Sequence, residues 1–538
     1  MIERTVENWL TNATEKGYQI PFSQVLVIEG HTVLYVSKHG QLEQGKDIIS
    51  LDAKGIPCAY QLKAGDINLQ EWREIESQIH ELVELPPVHP SIDKAAPFKA
   101  YLVTNGEVGD TVRRLVDDRN TAWEQKGLPI LHLMTKGELL RKFIDAHQTF
   151  LPEALPSQRN FLELYLANGR DFVNKEKLAA FLEDLLLQSG RNDSYAKLCQ
   201  RVAAAAVITQ LILTPFELEN NHVSILECWT MFCAYVLAMS EQRAMPGKIW
   251  RPTYDIILQR ICEKLDDLRV EFCSRSNYLE EPSIVDGGLV YKARVTIVVG
   301  WLCAYEIFQC LVSKNREPDR DILASVQEKF KDWSWYWGES ATSYLLMVSL
   351  FLEIAGDVDL CWQIILKMLV EICTEVDLNS SDNGLADPYI PVENVLDARM
   401  PYHENVVEER QSVRPAASHH LATLVYYATI LNKRAALNEL WKQVSKIVMR
   451  EFRPKNQWQY LLWRSEEGKE ETHLFNATQS WSELREIAGK NQDTSPSVIY
   501  DNVDFLSFFL LVYPHRLVPE LFRRLHDKVA SIKTQIVS

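Results

Sequence analysis

The stretch from Gly45 to Asp66 constrains this chain most, because its pattern of apolar, turn and polar residues specifies a two-stranded hairpin. Ile48, Ile49 and Leu51 make one apolar run, and Ala59, Tyr60 and Leu62 sit in a second. Between them, Asp52-Ala53-Lys54-Gly55 followed by Pro57 is a turn signal, since Gly accepts positive φ and Pro cannot continue a central strand. Folding about Lys54 and Gly55 brings Asp47 roughly opposite Gln61 to Lys63. Side chains two apart on a strand share a face, so Gln61 and Lys63 point the same way.

A carboxylate, an amide oxygen and an ammonium therefore converge at the sheet surface. A hard cation such as Mg²⁺ takes one or two carboxylates and a few neutral oxygens, and keeps waters for chemistry. Such a metal polarises a phosphoryl oxygen and lowers the pKa of bound water, while a nearby Lys orients that water or stabilises developing charge. An ordinary surface hairpin with Gln61 and Lys63 facing water carries the same residues.

Asp47, thirteen intervening residues and then Gln61-Leu62-Lys63 resembles the active-site motif of the PD-(D/E)xK nucleases. The glutamine variant is similar to the Mrr-like branch of restriction endonucleases, whose pattern the flanking Gly-Lys-Asp-Ile-Ile and Tyr-Gln-Leu-Lys-Ala-Gly also match. The resemblance covers about the first 150 residues. It implies an α/β restriction-endonuclease-like domain with an αβββαβ core and mixed sheet. The implied activity is Mg²⁺- or Mn²⁺-dependent endonuclease cleavage, of DNA first and RNA second. Asp47, Gln61 and the Leu62 main-chain carbonyl would bind the metal, and Lys63 would position the attacking water. An acidic residue on the first helix often completes the site in this branch; Glu7 is better placed for that than Glu3. Similar architectures recur in prokaryotic anti-phage defence, which implies a partner ATPase or sensor, an invader's component, or self-assembly through the remaining chain.

The order of elements agrees with that core. Residues 2–16 carry Ile2, Val6, Trp9, Leu10 and Ala13 on one helical stripe, ended by Gly17. Val25–Glu29 and Thr32–Ser37 read as strands around Gly30, and the hairpin follows. A helix over 68–85 stops at Pro86-Pro87, and Phe98–Thr104 reads as a buried strand. A helix then runs to about Lys126, Ile130–Met134 is a strand, and Gly137–His147 is helical. Arg113, Arg114 and Arg119 fall on the helix after Thr104; Arg113 and Arg114 are the best candidates for phosphate contacts, with a solvated face as the plainer reading.

Beyond a boundary at 151–157 the apolar period becomes 3.6 almost throughout, which predicts a large all-α region. Its divisions are an α-helical domain over 157–376, a long polar loop over 377–415 and an α-helical C-terminal domain over 416–538. Helices are expected at 159–168, 175–188, 194–213, 222–240, 252–268, 289–313, 321–330, 341–354, 358–376, 416–447, 503–512 and 518–533. The loop, with Pro388, Pro391 and Pro401, reads as a contacting loop or as a plain insertion. Adjacent His419 and His420 point about 100° apart on a helix and cannot share a metal, which favours a structural role. The patches Trp333, Trp335, Tyr336, Trp337 and Trp458, Tyr460, Trp463 read as helix packing, although with Lys455 and Arg464 they could stack on bases.

Charge sets a limit. The net charge is −16, and residues 1–150 hold 16 Lys and Arg against 21 Asp and Glu, a balance of −5. Phosphate neutralisation supplies most non-specific DNA affinity, so the chain needs a local basic patch, an oligomer or a partner to hold DNA. The ten cysteines are scattered without a C-x-x-C pair and read as buried hydrophobes of a reducing compartment. No secretory leader is visible, and Val202–Leu213 and Val295–Val312 read as buried helices rather than spans, so a cytoplasmic location with no membrane contact is expected. No zinc cluster or Walker A loop is present. The reading from another class is an interaction or scaffold subunit whose nuclease-like domain is silent.

Overall fold

A computed structural model places residues 2–37, 45–93, 95–150, 155–188, 193–274, 287–313, 316–330, 334–375, 386–399, 417–463, 472–489 and 497–537, and the description is confined to these. The chain divides into two compact units, Met1–Glu263 and Lys264–Ser538. The sequence reading places divisions near 151–157 and over 377–415. Both those segments lie largely outside the described residues.

The first unit contains a five-stranded mixed sheet. In chain order its elements are α1 (Ile2–Asn12), α2 (Glu15–Ile28), β1 (Thr32–Val36), β2 (Ile48–Leu51), β3 (Pro57–Lys63), α3 (Leu69–Glu84), β4 (Lys99–Thr104), α4 (Asp110–Gln125), β5 (Leu131–Met134) and α5 (Lys136–Phe150). Strands lie in the order β1-β2-β3-β4-β5, with β1, β2 and β3 antiparallel and β3, β4 and β5 parallel. From β1 onward the order of three strands, helix, strand, helix and strand is as the sequence predicts.

Alternation along the strands sorts their side chains onto two faces. Ala59, Ala100, Leu102 and Leu131 pack under Trp72, Ile75, Ile79, Leu82 and Val83 of α3 and Val112, Val116 and Trp123 of α4. Full burial of each large apolar side chain is worth roughly 1.5–3 kcal/mol. On the other face Tyr60 stacks on Tyr101 with centroids 4.8 Å apart, Tyr101 stacks on His132 at 5.0 Å, and Phe22 of α2 meets Tyr60 edge-on at 5.6 Å. Asn68 starts α3 by accepting from Gln70 N and Glu71 N, and the helix ends at Leu85, ahead of Pro86.

The N-terminal helices differ from expectation. The chain does not run as one helix to Gly17 and then a strand at Val25–Glu29. It breaks at Ala13, restarts with Thr14 as N-cap accepting from Gly17 N, and continues as α2 to Ile28. Ten consecutive residues, Tyr18–Val27, are buried. A helix buried all round, with Gln19, Ser23 and Gln24 inside as well, shows no clean 3.6-residue stripe, and its apolar end Val25–Ile28 resembles a buried strand. Gly30, with φ +89°, closes α2 as a left-handed C-terminal residue: Gly30 N bonds Val27 O and His31 N bonds Leu26 O.

Among its described residues the unit continues with α6 (Leu155–Tyr165), α7 (Lys175–Leu182) followed by a π-helical segment at Glu183–Gln188, α8 (Tyr195–Leu218), α9 (His222–Gln242) and the first part of α10 (Gly247–Ser274). The helix α8 packs along α2 and against α5. The second unit is mostly helical, as expected, but it also contains an antiparallel hairpin, Val448–Phe452 with Thr472–Asn476, that the periodicity did not show. The expected helix over 416–447 is two helices, Leu421–Ile430 and Arg434–Val444, separated at Asn432. Val392–Arg399, within the expected loop, is helical. Trp335, Tyr336 and Trp337 sit largely inside, with Trp337 Nε1 donating to Ser340 Oγ at 2.8 Å; Tyr460 and Trp463 are likewise buried. Trp333 and Arg464 lie outside the described residues.

Three helices are long and apolar enough to cross a membrane by length and composition, Tyr195–Leu218, His222–Gln242 and Gly288–Val312. They run longer than the apolar segments read from the sequence. Of their most apolar windows, 78, 94 and 89 % is buried within the protein.

His419 and His420 precede a helix rather than lying within one. The fully buried Glu339 carboxylate accepts from Ser418 Oγ, from His419 N at 2.9 Å and from His420 N at 3.2 Å, while His420 Nε2 donates to Pro514 O at 2.7 Å. An anion at the start of Leu421–Ile430 also complements the helix dipole. Glu339→Ala should lower the urea stability of the second unit by several kcal/mol, about 1–3 for each buried donor left bare, read by near-UV circular dichroism.

Candidate functional site

The hairpin forms as its residues dictate. Asp52 Oδ1 accepts from Lys54 N and Ile56 N, each at 2.9 Å, which sets the turn. Lys99 on β4 donates to Asp52 Oδ2 at 2.9 Å; this bond, first among the causes, lowers the carboxyl pKa to about 2. Pairing of Ile48 with Tyr60 and of Ile49 with Ala59 puts Asp47 one step beyond the ladder, opposite Gln61. Asp47 N donates to Tyr60 O at 2.8 Å.

The Asp47 carboxylate is buried, at 4 % exposed, and so is Gln61, also at 4 %. Asp47 Oδ2 accepts from Gln61 Nε2 at 2.7 Å and from Leu62 N at 2.6 Å. The structure thus brings Asp47, Gln61 and Leu62 together. Lys63, the last residue of β3, points its ammonium to Glu15 Oε2 at 3.6 Å, with both side chains part-exposed.

Glu7, the acidic residue expected beside the site, is exposed on α1. The carboxylate that reaches Lys63 belongs to the first turn of α2. A signal for it was present: Thr14 followed by Glu15 is an N-cap and an acidic first turn. Glu3 is exposed on α1 as well.

Four further residues frame the site without having been singled out. Tyr18 OH donates to Lys63 O at 2.7 Å and to Val103 O at 3.3 Å, and burial pushes the phenol pKa well up. Gln19 Nε2 donates to Asp47 O and Ser37 O, each at 3.4 Å. Asn105, buried just past β4, accepts from Gly65 N at 2.7 Å and donates to Leu10 O and Ala13 O at 2.6 and 2.8 Å. It ties the exit of β3 to the end of α1. Lys46, only 3 % exposed, donates to Glu81 O at 3.0 Å near the C-terminal end of α3.

Arg113 and Arg114 are not drawn into this cluster. Arg113 Nε donates to Val108 O at 3.0 Å and its guanidinium stands 3.8 Å from Glu107. Arg114 is exposed, with no ion pair among the described residues. Arg119 is held by Glu76 and His80 of α3.

Asp47, Gln61 and Leu62 carry a carboxylate, an amide oxygen and a main-chain carbonyl, oxygens of the class a hard cation takes, while the bonds that join them here are donated by Gln61 Nε2 and Leu62 N. Among the described residues no group of three or more His, Cys, Asp and Glu is placed to hold a metal. Compared with family models, curated proteins and solved structures, the chain matches none of them.

Two measurements check how the strand carrying Asp47 is seated. Gly45 has φ +67°, and a Cβ there would lie 2.3 Å from Gln78 O of α3. Gly45→Ala should therefore cost at least about 1–3 kcal/mol in denaturant unfolding. Burial pulls the Lys46 ammonium from its ordinary 10.5 down to about 8. Folding then favours the neutral amine, so stability should rise as pH climbs from about 8 towards 10.5. Lys46→Met should remove that rise, seen as the difference between the two pH profiles.

Proposed function

We propose that the first unit is a metal-dependent endonuclease domain of the PD-(D/E)xK type, acting on DNA, with RNA the second substrate class. The observation that carries this reading is the buried Asp47 carboxylate, bonded to Gln61 and Leu62 at the end of a hairpin whose next residue is Lys63. Asp47, the Gln61 amide oxygen and the Leu62 carbonyl would hold Mg²⁺ or Mn²⁺. Bound there, the ion supplies Lewis-acid polarisation of a phosphoryl oxygen and an acidified water. Lys63 hydrogen-bonds that water or the phosphoryl oxygen and stabilises the charge that develops in the transition state. Glu15 holds the Lys63 ammonium, and Glu7 would add a second carboxylate to the metal.

The net charge of −16 makes tight, unaided DNA binding unfavourable. Holding the substrate therefore calls for a local basic patch, a partner or a second copy of the chain. A cytoplasmic effector of prokaryotic anti-phage defence, recruited by an ATPase or sensor through the helical part, meets that requirement.

A second reading is favoured by one observation. Asp47 Oδ2 already has two short hydrogen bonds, as a structural carboxylate would. A silent scaffold built on this sheet would keep those bonds and be indifferent to Lys63.

Incubation of supercoiled plasmid with Mg²⁺ or Mn²⁺ separates the two. On the hydrolytic reading, Lys63→Ala and Asp47→Ala each lower nicking at least about 100-fold, and EDTA abolishes it. Cleavage that survives both alanine variants would place the chemistry elsewhere.

A further inference from the structure

The helix α2 touches the Asp47–Lys63 site with one side and the helical layer with the other. Glu15 meets Lys63 Nζ at 3.6 Å, Tyr18 OH bonds Lys63 O at 2.7 Å, and Gln19 Nε2 bonds Asp47 O at 3.4 Å. These three residues stand at i, i+3 and i+4 and so share a face. Gln24 lies nine positions after Glu15, about 180° round the helix at 100° per residue. Its Oε1 accepts from Thr253 Oγ1 of α10 at 2.7 Å, with both residues buried. At the far end, Ile28 O accepts from Gln200 Nε2 of α8 at 2.8 Å.

The middle of α2 is weakened by its sequence. Pro21 has no N–H to give the Gly17 carbonyl, so the turn carrying Glu15 and Tyr18 joins the rest of the helix through one fewer bond. A displacement of the Gln24–Ile28 half therefore reaches the site through a jointed rod rather than a free end. Both halves are packed, and Tyr18–Val27 have no exposed residue through which a shift could dissipate into solvent.

We propose that α2 is the lever by which the helical layer regulates the Asp47–Lys63 site. Thr253 and Gln200 fix the helix, and Tyr18 and Gln19 are positioning residues that set where Lys63 and Asp47 stand. What is regulated rests on the hydrolytic reading; the mechanical coupling does not. Any partner that binds α8 or α10 better in one setting of α2 than in the other shifts the site by that difference in affinity.

Hydrogen–deuterium exchange on the full chain tests the coupling without reference to activity. Thr253→Val should speed exchange in 15–28 and also in 45–63 by about tenfold, the size expected for one lost buried hydrogen bond. Thr253→Ser, which keeps the hydroxyl, should restore the wild-type pattern. Ser240→Ala removes a comparable buried bond, to Leu237 O at 2.8 Å within α9, and should leave 45–63 unchanged. Should Thr253→Val fail to fold, Gln200→Leu probes the other grip and should act in the same direction. Faster exchange confined to α2, α8 and α10, with 45–63 as in wild type, overturns the proposal. Coupling in exchange together with plasmid cleavage that survives both Lys63→Ala and Asp47→Ala would sink the hydrolytic reading of this site and leave the lever standing.

Discussion

The buried Asp47 carboxylate is the interaction on which the first unit's site depends. An ionised carboxylate taken out of water is costly unless hydrogen bonds replace its hydration. Asp47 obtains them from Gln61 Nε2 and Leu62 N, so the anion ends the β2–β3 ladder and fixes the last residues of β3. From there the bonds continue outward. The Lys63 carbonyl is taken by Tyr18, Gly65 N by Asn105, and Asn105 in turn holds the end of α1. A continuous set of hydrogen bonds thus links two strands, two helices and the loop that follows β3. Replacing Asp47 by an apolar residue would remove the reason for the neighbouring polar groups to converge.

The same carboxylate is anchored from behind. Gly45 lets the backbone lie against Gln78 of α3, and the Lys46 side chain reaches the Glu81 carbonyl near the end of that helix. A cation near the last carbonyls of a helix complements its dipole. Gly45, Lys46 and Asp47 therefore act as one seat: closeness from the glycine, attachment from the lysine and charge from the aspartate.

The parts of this arrangement that obey a strict period were legible in the sequence. The hairpin, α3, β4, α4 and β5 lie within a residue or two of the positions their alternation and capping residues indicate. The approach of Asp47 to Gln61 followed from the turn at Lys54 and Gly55. What escaped was α2, because a segment buried on all sides loses the polar stripe that marks a helix. With α2 misread, Glu15, Tyr18 and Gln19 could not be placed beside Asp47 and Lys63. The hairpin at Val448–Phe452 and Thr472–Asn476 was hidden for a different reason. Its second strand is almost wholly exposed, so it carries no alternation of buried and solvated residues.

Burial of α2 and regulation through it have one physical origin. A helix at a protein surface can move without consequence, whereas close-packed interiors transmit displacement because they lack free volume. On the hydrolytic reading the site has one buried carboxylate and a neutral amide where two acids would bind a cation more tightly, on a chain of net charge −16. Each feature weakens the resting site towards metal or nucleic acid. A weak site is responsive: small changes in the placement of Lys63 and Asp47 produce large fractional changes in occupancy. On that reading the amide-substituted site and the proposed lever beneath it belong together, the helical layer setting when the sheet acts.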